Sequence, residues 1–180
     1  MAIVTLVMGG ARSGKSRTAE ELALGNGPPL AYIATGIAGD DEMAERIARH
    51  QDRRGTDWVT IEEPMELPDA VLKAAAGHRA VLVDCLTLWL SNLLLNYEAA
   101  LPWEEVSAAV LADVRRLADV LRQVEVPVII VSSEVGMGIV PDNRLGRLFR
   151  DLAGEANEMV AGVADEVYAC FAGIPMKLKG

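Results

Sequence analysis

The chain has 180 residues, a formal charge of −9, and a composition that is 51% hydrophobic but only 4% aromatic. That length and apolar share fit one domain with a sizeable core of Ala, Val, Leu and Ile, and they exclude a disordered chain. The acidic balance argues against a nucleic-acid or anionic-membrane surface, because phosphate backbones require clustered cations; a local basic pocket can still form from Arg12, Lys15, Arg46, Arg49, Arg53 and Arg54.

In chain order, apolar runs alternate with amphipathic stretches, the pattern of a mostly parallel α/β sheet with helices on both faces. Strands are predicted over residues 3–8, 30–35, 58–62, 80–84, 126–132 and 166–171, with a short last strand over 176–179. Helices are predicted over 16–24, 40–54, 65–76, 86–95, 103–124 and 144–164. The run 86–95 is too short to cross a bilayer, which takes about 20 residues. The amino end lacks a positively charged leader and runs straight into a glycine loop. Both points lead to the expectation of a cytoplasmic protein without stable membrane insertion. Cys85 and Cys170 sit in apolar surroundings and read as buried thiols of a reducing compartment, with a disulfide between them the minor alternative.

After the first strand comes Gly9-Gly10-Ala11-Arg12-Ser13-Gly14-Lys15-Ser16, a full match to G-x-x-x-x-G-K-[ST] before a helix-like run. Glycines let successive N–H groups turn toward one anion, and the helix start adds its positive dipole end. Lys15 is expected to reach the β and γ phosphates and Ser16 to hold Mg²⁺. The fourth apolar run ends in Asp84, the carboxylate such a metal requires; its structural alternative is an N-cap for the helix that follows. An Asn-Lys-x-Asp guanine reader is absent, and Asp151 to Gly154 matches a loose switch pattern inside a helix-like run.

In residues 40–54, Met43, Ile47 and His50 share one face, with Arg46, Arg53 and Arg54 within one helical turn of the histidine. Neighbouring cations favour a neutral imidazole, which can attack phosphorus while the arginines offset moving charge. From the residues alone, a half-buried structural histidine is the preferred reading. His78 precedes the strand that carries Asp84, so it falls at the amino edge and reads as a solvated loop residue. Glu62 ends a strand at the carboxyl edge, whereas Glu63, Glu104 and Glu105 read as solvated. The segment 134–144 follows a strand at the ligand edge, with Ile139 and Val140 able to meet a bulky apolar ligand and Asp142 as candidate cap. The run around Trp89 is apolar on nearly every face, so it is either a core helix or an oligomer contact.

The glycine loop, YIATG (32–36), DDEMAERIARH (40–50), DCLTLWLSNLL (84–94) and EVGMGIVPDNRLGRLFRDLAGEAN (134–157) occur in one order. Together they resemble, over nearly the whole chain, the bifunctional adenosylcobinamide kinase / adenosylcobinamide-phosphate guanylyltransferase family. The resemblance implies a RecA-like P-loop fold and a homotrimer. It implies phosphorylation of adenosylcobinamide by ATP or GTP with Mg²⁺, then transfer of GMP from GTP through a guanylylated histidine to adenosylcobinamide phosphate. That histidine maps onto His50, which reverses the preference drawn from the residues alone. Lys15 is carried over as the other catalytic residue. Nucleotide contacts map onto the glycine loop, onto Ala34, Thr35 and Gly36, onto Gln51, Asp52, Arg53 and Arg54, and onto Glu62 and Asp84. The chain departs from the family pattern at Gly55, where proline is usual, at Ser133, where asparagine is usual, and at Glu158, where glutamine is usual. A kinase of another small molecule and a nucleotide-gated binding module remain the alternatives.

Overall fold

The computed structural model describes residues 3–37 and 57–180. The elements run β1 (Val4–Gly9), α1 (Lys15–Leu24), β2 (Leu30–Ala34), β3 (Trp58–Glu62), α2 (Leu67–Ala75), β4 (Ala80–Asp84), α3 (Leu86–Ala100), α4 (Trp103–Leu121), β5 (Val128–Ser133), α5 (Arg144–Val163), β6 (Glu166–Phe171) and β7 (Ile174–Lys179). The strands form one sheet in the order β3-β2-β4-β5-β1-β6-β7. All neighbours are parallel except β6 and β7, which pair antiparallel through a two-residue turn at Ala172 and Gly173.

β-Branched and apolar residues fill β1, β2, β4 and β5, which are buried along almost their whole length, because helices cover both faces of these central strands. Alternation splits the side chains between two cores. Leu6, Ile33, Val83 and Ile130 pack against α2, α3, α4 and α5. Val7, Tyr32, Leu82 and Val131 pack with Ala19 and Ala23 of α1 on the other face. Among the described residues, α1 covers that second face together with Leu88 at the start of α3.

Element ends depart from the sequence reading where side chains override periodicity. α3 continues to Ala100 rather than ending at 95, because Tyr97 donates a 2.7 Å hydrogen bond to Asp113 of α4 and fastens the added turn. β5 begins at Val128 rather than 126; Pro127 has no N–H to give the ladder and contributes only its carbonyl, to Val81. β7 begins at Ile174 rather than 176, since the tight turn lets Phe171 pair with Ile174 at once. The predicted helix over 40–54 lies outside the described residues. Asp151 to Gly154 falls inside α5, so its switch-like pattern is an accident of a helical run.

Trp89 is fully buried within the single chain, and its Nε1 donates to Met65 O at 2.7 Å. Trp89 itself is thus covered inside the chain, and α3 is a core helix along its buried side, while Leu95 of the same helix is exposed. Burying a side chain the size of Trp89 contributes about 3 kcal/mol. Cys85 and Cys170 are both buried and both free, so the disulfide alternative falls. No described helix is long and apolar enough to cross a membrane.

Candidate active site

The carboxyl edge of the parallel strands brings residues 9–16, 34–36, Glu62, Asp84 and 133–143 to one side of the sheet, where ligands of such folds bind. The loop after β1 folds tightly back on its own strand. Ser13 N donates to Gly10 O at 3.3 Å. A Cβ on Gly9 would collide with Ser13 Oγ and the Cys170 carbonyl, so no larger residue fits there. Gly14 takes a positive φ of 92°, which glycine adopts without penalty, and it opens α1. Ser13 is buried and its hydroxyl has no hydrogen-bond partner among the described residues. Gly14, Lys15 and Ser16 are half-buried, while Ala11 and Arg12 are exposed. Lys15 Nζ donates to Gly10 O at 3.0 Å and so lies folded across the loop.

The start of α1 differs from every other described helix start. α2 has no capping side chain but carries Asp69 in its first turn, and Glu63 braces the turn before it by accepting from Met65 N and Glu66 N at 3.0 and 2.9 Å. Cys85 Sγ accepts from Leu88 N at the start of α3, and Asn143 Oδ1 accepts from Gly146 N at the start of α5. α4 carries Glu104 and Glu105 in its first turn. α1 has neither a capping side chain nor an acidic first turn. Its leading N–H groups and dipole end are left to an external anion, which is what a phosphate requires. The caps at Cys85 and Asn143 also correct two sequence readings: neither Asp84 nor Asp142 caps the helix after it.

Asp84 ends β4, two strand spacings from β1 across β5, or about 10 Å. Its Oδ2 accepts a 2.9 Å hydrogen bond from the Tyr32 hydroxyl. Next to it, the Cys85 thiol is pushed up to about 11, chiefly by burial and then by the charge of Asp84, while the Lys15 ammonium pulls the other way. Lys15 and Asp84 thus act electrostatically on one dry spot at the floor of the site.

Thr35 is fully buried and committed to the backbone. Its Oγ1 donates to Cys85 O at 2.7 Å and accepts from Cys85 N at 2.8 Å. Asn92 Nδ2 then donates to Thr35 O and Pro64 O at 2.8 and 3.0 Å. These bonds lock the turn after β2 to β4 and α3, with Gly36 pressed against Leu88. Glu62 is exposed at the end of β3, paired with Ala34. His50, Gln51, Asp52, Arg53 and Arg54, with Arg46, Arg49 and Gly55, lie outside the described residues. His78 is half-buried at the amino edge, with Nδ1 2.8 Å from Ala74 O, away from the site.

On the next strand, Ser132 Oγ donates to Asn157 Oδ1 at 2.6 Å, and Ser133 N donates to Thr87 Oγ1 at 2.6 Å. Glu134 N donates to Gly9 O, tying the following segment to the glycine loop at 3.1 Å. Beyond that tie Met137, Ile139 and Val140 are 80, 98 and 58% exposed.

Tyr32, Glu63, Asn92 and Arg17 were not singled out from the sequence. A trace of Tyr32 was present: it is a polar-tipped residue in an otherwise apolar strand, and such residues seek a partner when buried. Nothing local distinguishes Glu63 from Glu62; which carboxylate turns back onto the N–H groups of Met65 and Glu66 is set by the path of the chain.

A parallel sheet with this strand order, an uncapped helix after a glycine loop and an acid two strands away define a P-loop nucleotide-binding protein. Its fold is RecA-like: the crystal structure of the RadB recombinase matches 93% of this chain and 73% of its own with a TM-score of 0.51, at 17% identity. Residues 5–178 match the family model described as cobinamide kinase / cobinamide phosphate guanyltransferase. The bifunctional adenosylcobalamin biosynthesis protein CobP of Pseudomonas aeruginosa is 44% identical over 175 residues, covering 97% of this chain and 96% of its own. The bifunctional adenosylcobalamin biosynthesis protein CobU of Salmonella typhimurium is 41% identical over 182 residues, covering 98% of this chain and 100% of its own. The chain belongs to the cobinamide kinase / cobinamide phosphate guanyltransferase family of enzymes.

Proposed function

We propose that this chain phosphorylates adenosylcobinamide and then converts the product to adenosyl-GDP-cobinamide. The observation that carries the reading is the uncapped start of α1 behind the loop of residues 9–16, within a family of this activity. In the first step the acceptor hydroxyl oxygen attacks the γ-phosphorus of ATP or GTP; the bond to the nucleoside diphosphate breaks and the hydroxyl proton leaves. The loop N–H groups of Gly10 to Ser16 cradle the phosphates, and Lys15 swings from Gly10 O to offset charge gathering on the transferring group.

The donors available for Mg²⁺ are the Ser16 hydroxyl and the Asp84 carboxylate, and the described residues hold no cluster of three or more metal-ligating side chains. That sparse oxygen set fits an ion that keeps its waters and is shared with a triphosphate, rather than a resident metal. When bound, Mg²⁺ neutralises charge on the β and γ oxygens.

In the second step a neutral His50 nitrogen attacks the α-phosphorus of GTP and pyrophosphate leaves. A phosphate oxygen of adenosylcobinamide phosphate then attacks the same phosphorus and releases the imidazole. Arg53 and Arg54, with Arg46, offset the transferring charge. Glu62, exposed beside Ala34, can accept hydrogen bonds from a guanine edge, and the backbone at Ala34 to Gly36 can meet the nucleotide, since the Thr35 side chain is occupied. The working enzyme is a cytoplasmic homotrimer of single-domain chains. The exposed apolar residues of the segment after β5 support association with a subunit or with the corrinoid.

The test is incubation with α-³²P-GTP and Mg²⁺ without corrinoid, comparing wild type with His50→Ala. The expected result is an acid-labile, alkali-stable label on the wild type that is lost in the variant. A folded, GTP-binding wild type that takes no label overturns the covalent step and leaves a kinase. Equal labelling of His50→Ala moves the nucleophile elsewhere.

A further inference from the structure

The turn between β6 and β7 rests directly against the glycine loop. Gly173 N donates to Ser13 O at 2.9 Å. Arg17, in the first turn of α1, donates from its Nη2 to Gly173 O at 3.0 Å. The approach is close enough that a Cβ on Gly14 would lie 2.9 Å from Gly173 Cα. The turn itself is two consecutive left-handed residues, Ala172 at φ 50° and Gly173 at φ 83°, the geometry of a tight hairpin. Loop, helix and hairpin are thus joined by both polar groups of one residue.

The Ser13–Gly14 peptide is trans, so its carbonyl and N–H point in opposite directions. With the carbonyl held by Gly173, the Gly14 N–H is turned away from the hairpin. We propose that the β6–β7 turn is the rear support of the phosphate loop, with Arg17 and Gly173 as positioning residues that keep the Gly14 amide aimed at the nucleotide's phosphates. Neither residue touches the nucleotide. This inference rests on the loop being the triphosphate site.

The experiment titrates mant-GTP with Mg²⁺ into wild type, Arg17→Ala, Arg17→Lys, Gly173→Ala and Lys179→Ala, with Tm measured for each. Lys179 is the structural control: its Nζ donates to Ala161 O and Ala164 O at 2.9 and 2.6 Å, at the far end of β7 from the turn. Arg17→Ala is expected to weaken binding about three- to tenfold, as befits loss of one partly solvated charged hydrogen bond, and Arg17→Lys to recover part of it. Gly173→Ala is expected to weaken it further, because an alanine there is held at a positive φ with its Cβ 3.4 Å from Arg17 Nη2. Lys179→Ala is expected to lower Tm without changing affinity. Wild-type affinity in Arg17→Ala and Gly173→Ala overturns the proposal, as does an equal loss of affinity in Lys179→Ala. A wild type that does not bind mant-GTP removes the phosphate-loop reading itself, and is seen before any variant is compared.

Discussion

The two segments that leave the carboxyl edge of the adjacent strands β1 and β5 are built in opposite ways. Residues 9–16 are fastened at three points, Ser13 to Gly10, Lys15 to Gly10 and Ser13 to the far hairpin, with Ser13 itself buried. The segment after β5 is tied at its root, where Glu134 N meets Gly9 O and Glu134 Oε1 accepts from Gly136 N, and again at its exit, where Arg147 bonds the carbonyls of Pro141 and Asp142. Between those ties it presents Met137, Ile139 and Val140 to solvent. A small, highly charged ligand needs donors already in place, since their reorganisation would cost the interaction. A large, partly apolar ligand or a second subunit needs surface area, which exposed side chains supply on contact. One sheet edge therefore carries a tied glycine loop, the proposed anion cradle, beside an apolar segment left open.

The strongest way to break that contrast is Lys15→Ala. It is expected to slow phosphoryl transfer to the acceptor by about 10³-fold, or roughly 4 kcal/mol of transition-state stabilisation, with little change in Tm. Single-turnover transfer from γ-³²P-labelled nucleotide measures it; a rate within tenfold of wild type would mean the cradle works without its lysine.

A second, smaller effect tests how dry the cradle floor is. Cys85 holds its proton in the native state up to about 11, above the range of an unfolded thiol, which is near 8.5. The stability this contributes is complete below about pH 8.5 and declines as pH rises toward 11, by about 3 kcal/mol in all. Tyr97, pushed up to about 12 mainly by its hydrogen bond to Asp113, adds a decline at higher pH. Urea unfolding of wild type and Cys85→Ala between pH 8 and 11 separates the two, and identical pH slopes would show a wetter floor than the buried thiol implies.

The smallest effect falls on the open segment. The pair Met137→Ser and Ile139→Ser is expected to raise KM for the corrinoid acceptor about tenfold, the loss of one well-buried apolar contact, and to leave nucleotide KM unchanged. Sedimentation of the same variant reads whether the segment serves a subunit instead. Unchanged acceptor KM and unchanged mass would make the exposed residues irrelevant to both.

How much of this was legible depends on the range of the forces involved. The glycine loop, the strand ending at Asp84 and the parallel α/β pattern are local: a backbone that must curl round an anion needs glycines at fixed spacing, and a strand buried on both faces needs an unbroken apolar run. Those were readable residue by residue, as were the two buried thiols. The role of Trp89 was not, because an all-round apolar helix looks the same whether a neighbouring helix or another subunit covers it. Nor were the helix caps, since Cys85 rather than Asp84, and Asn143 rather than Asp142, turn back only after the chain direction is set. The hairpin behind the glycine loop is the extreme case. Gly173 lies 159 positions after Gly14 in the sequence, and no spacing rule connects them. The sequence by itself determined that a phosphate loop exists and which strand carries it. Only the tertiary structure decided what stands behind that loop, because β6 must first pair with β1 before its turn can reach Ser13.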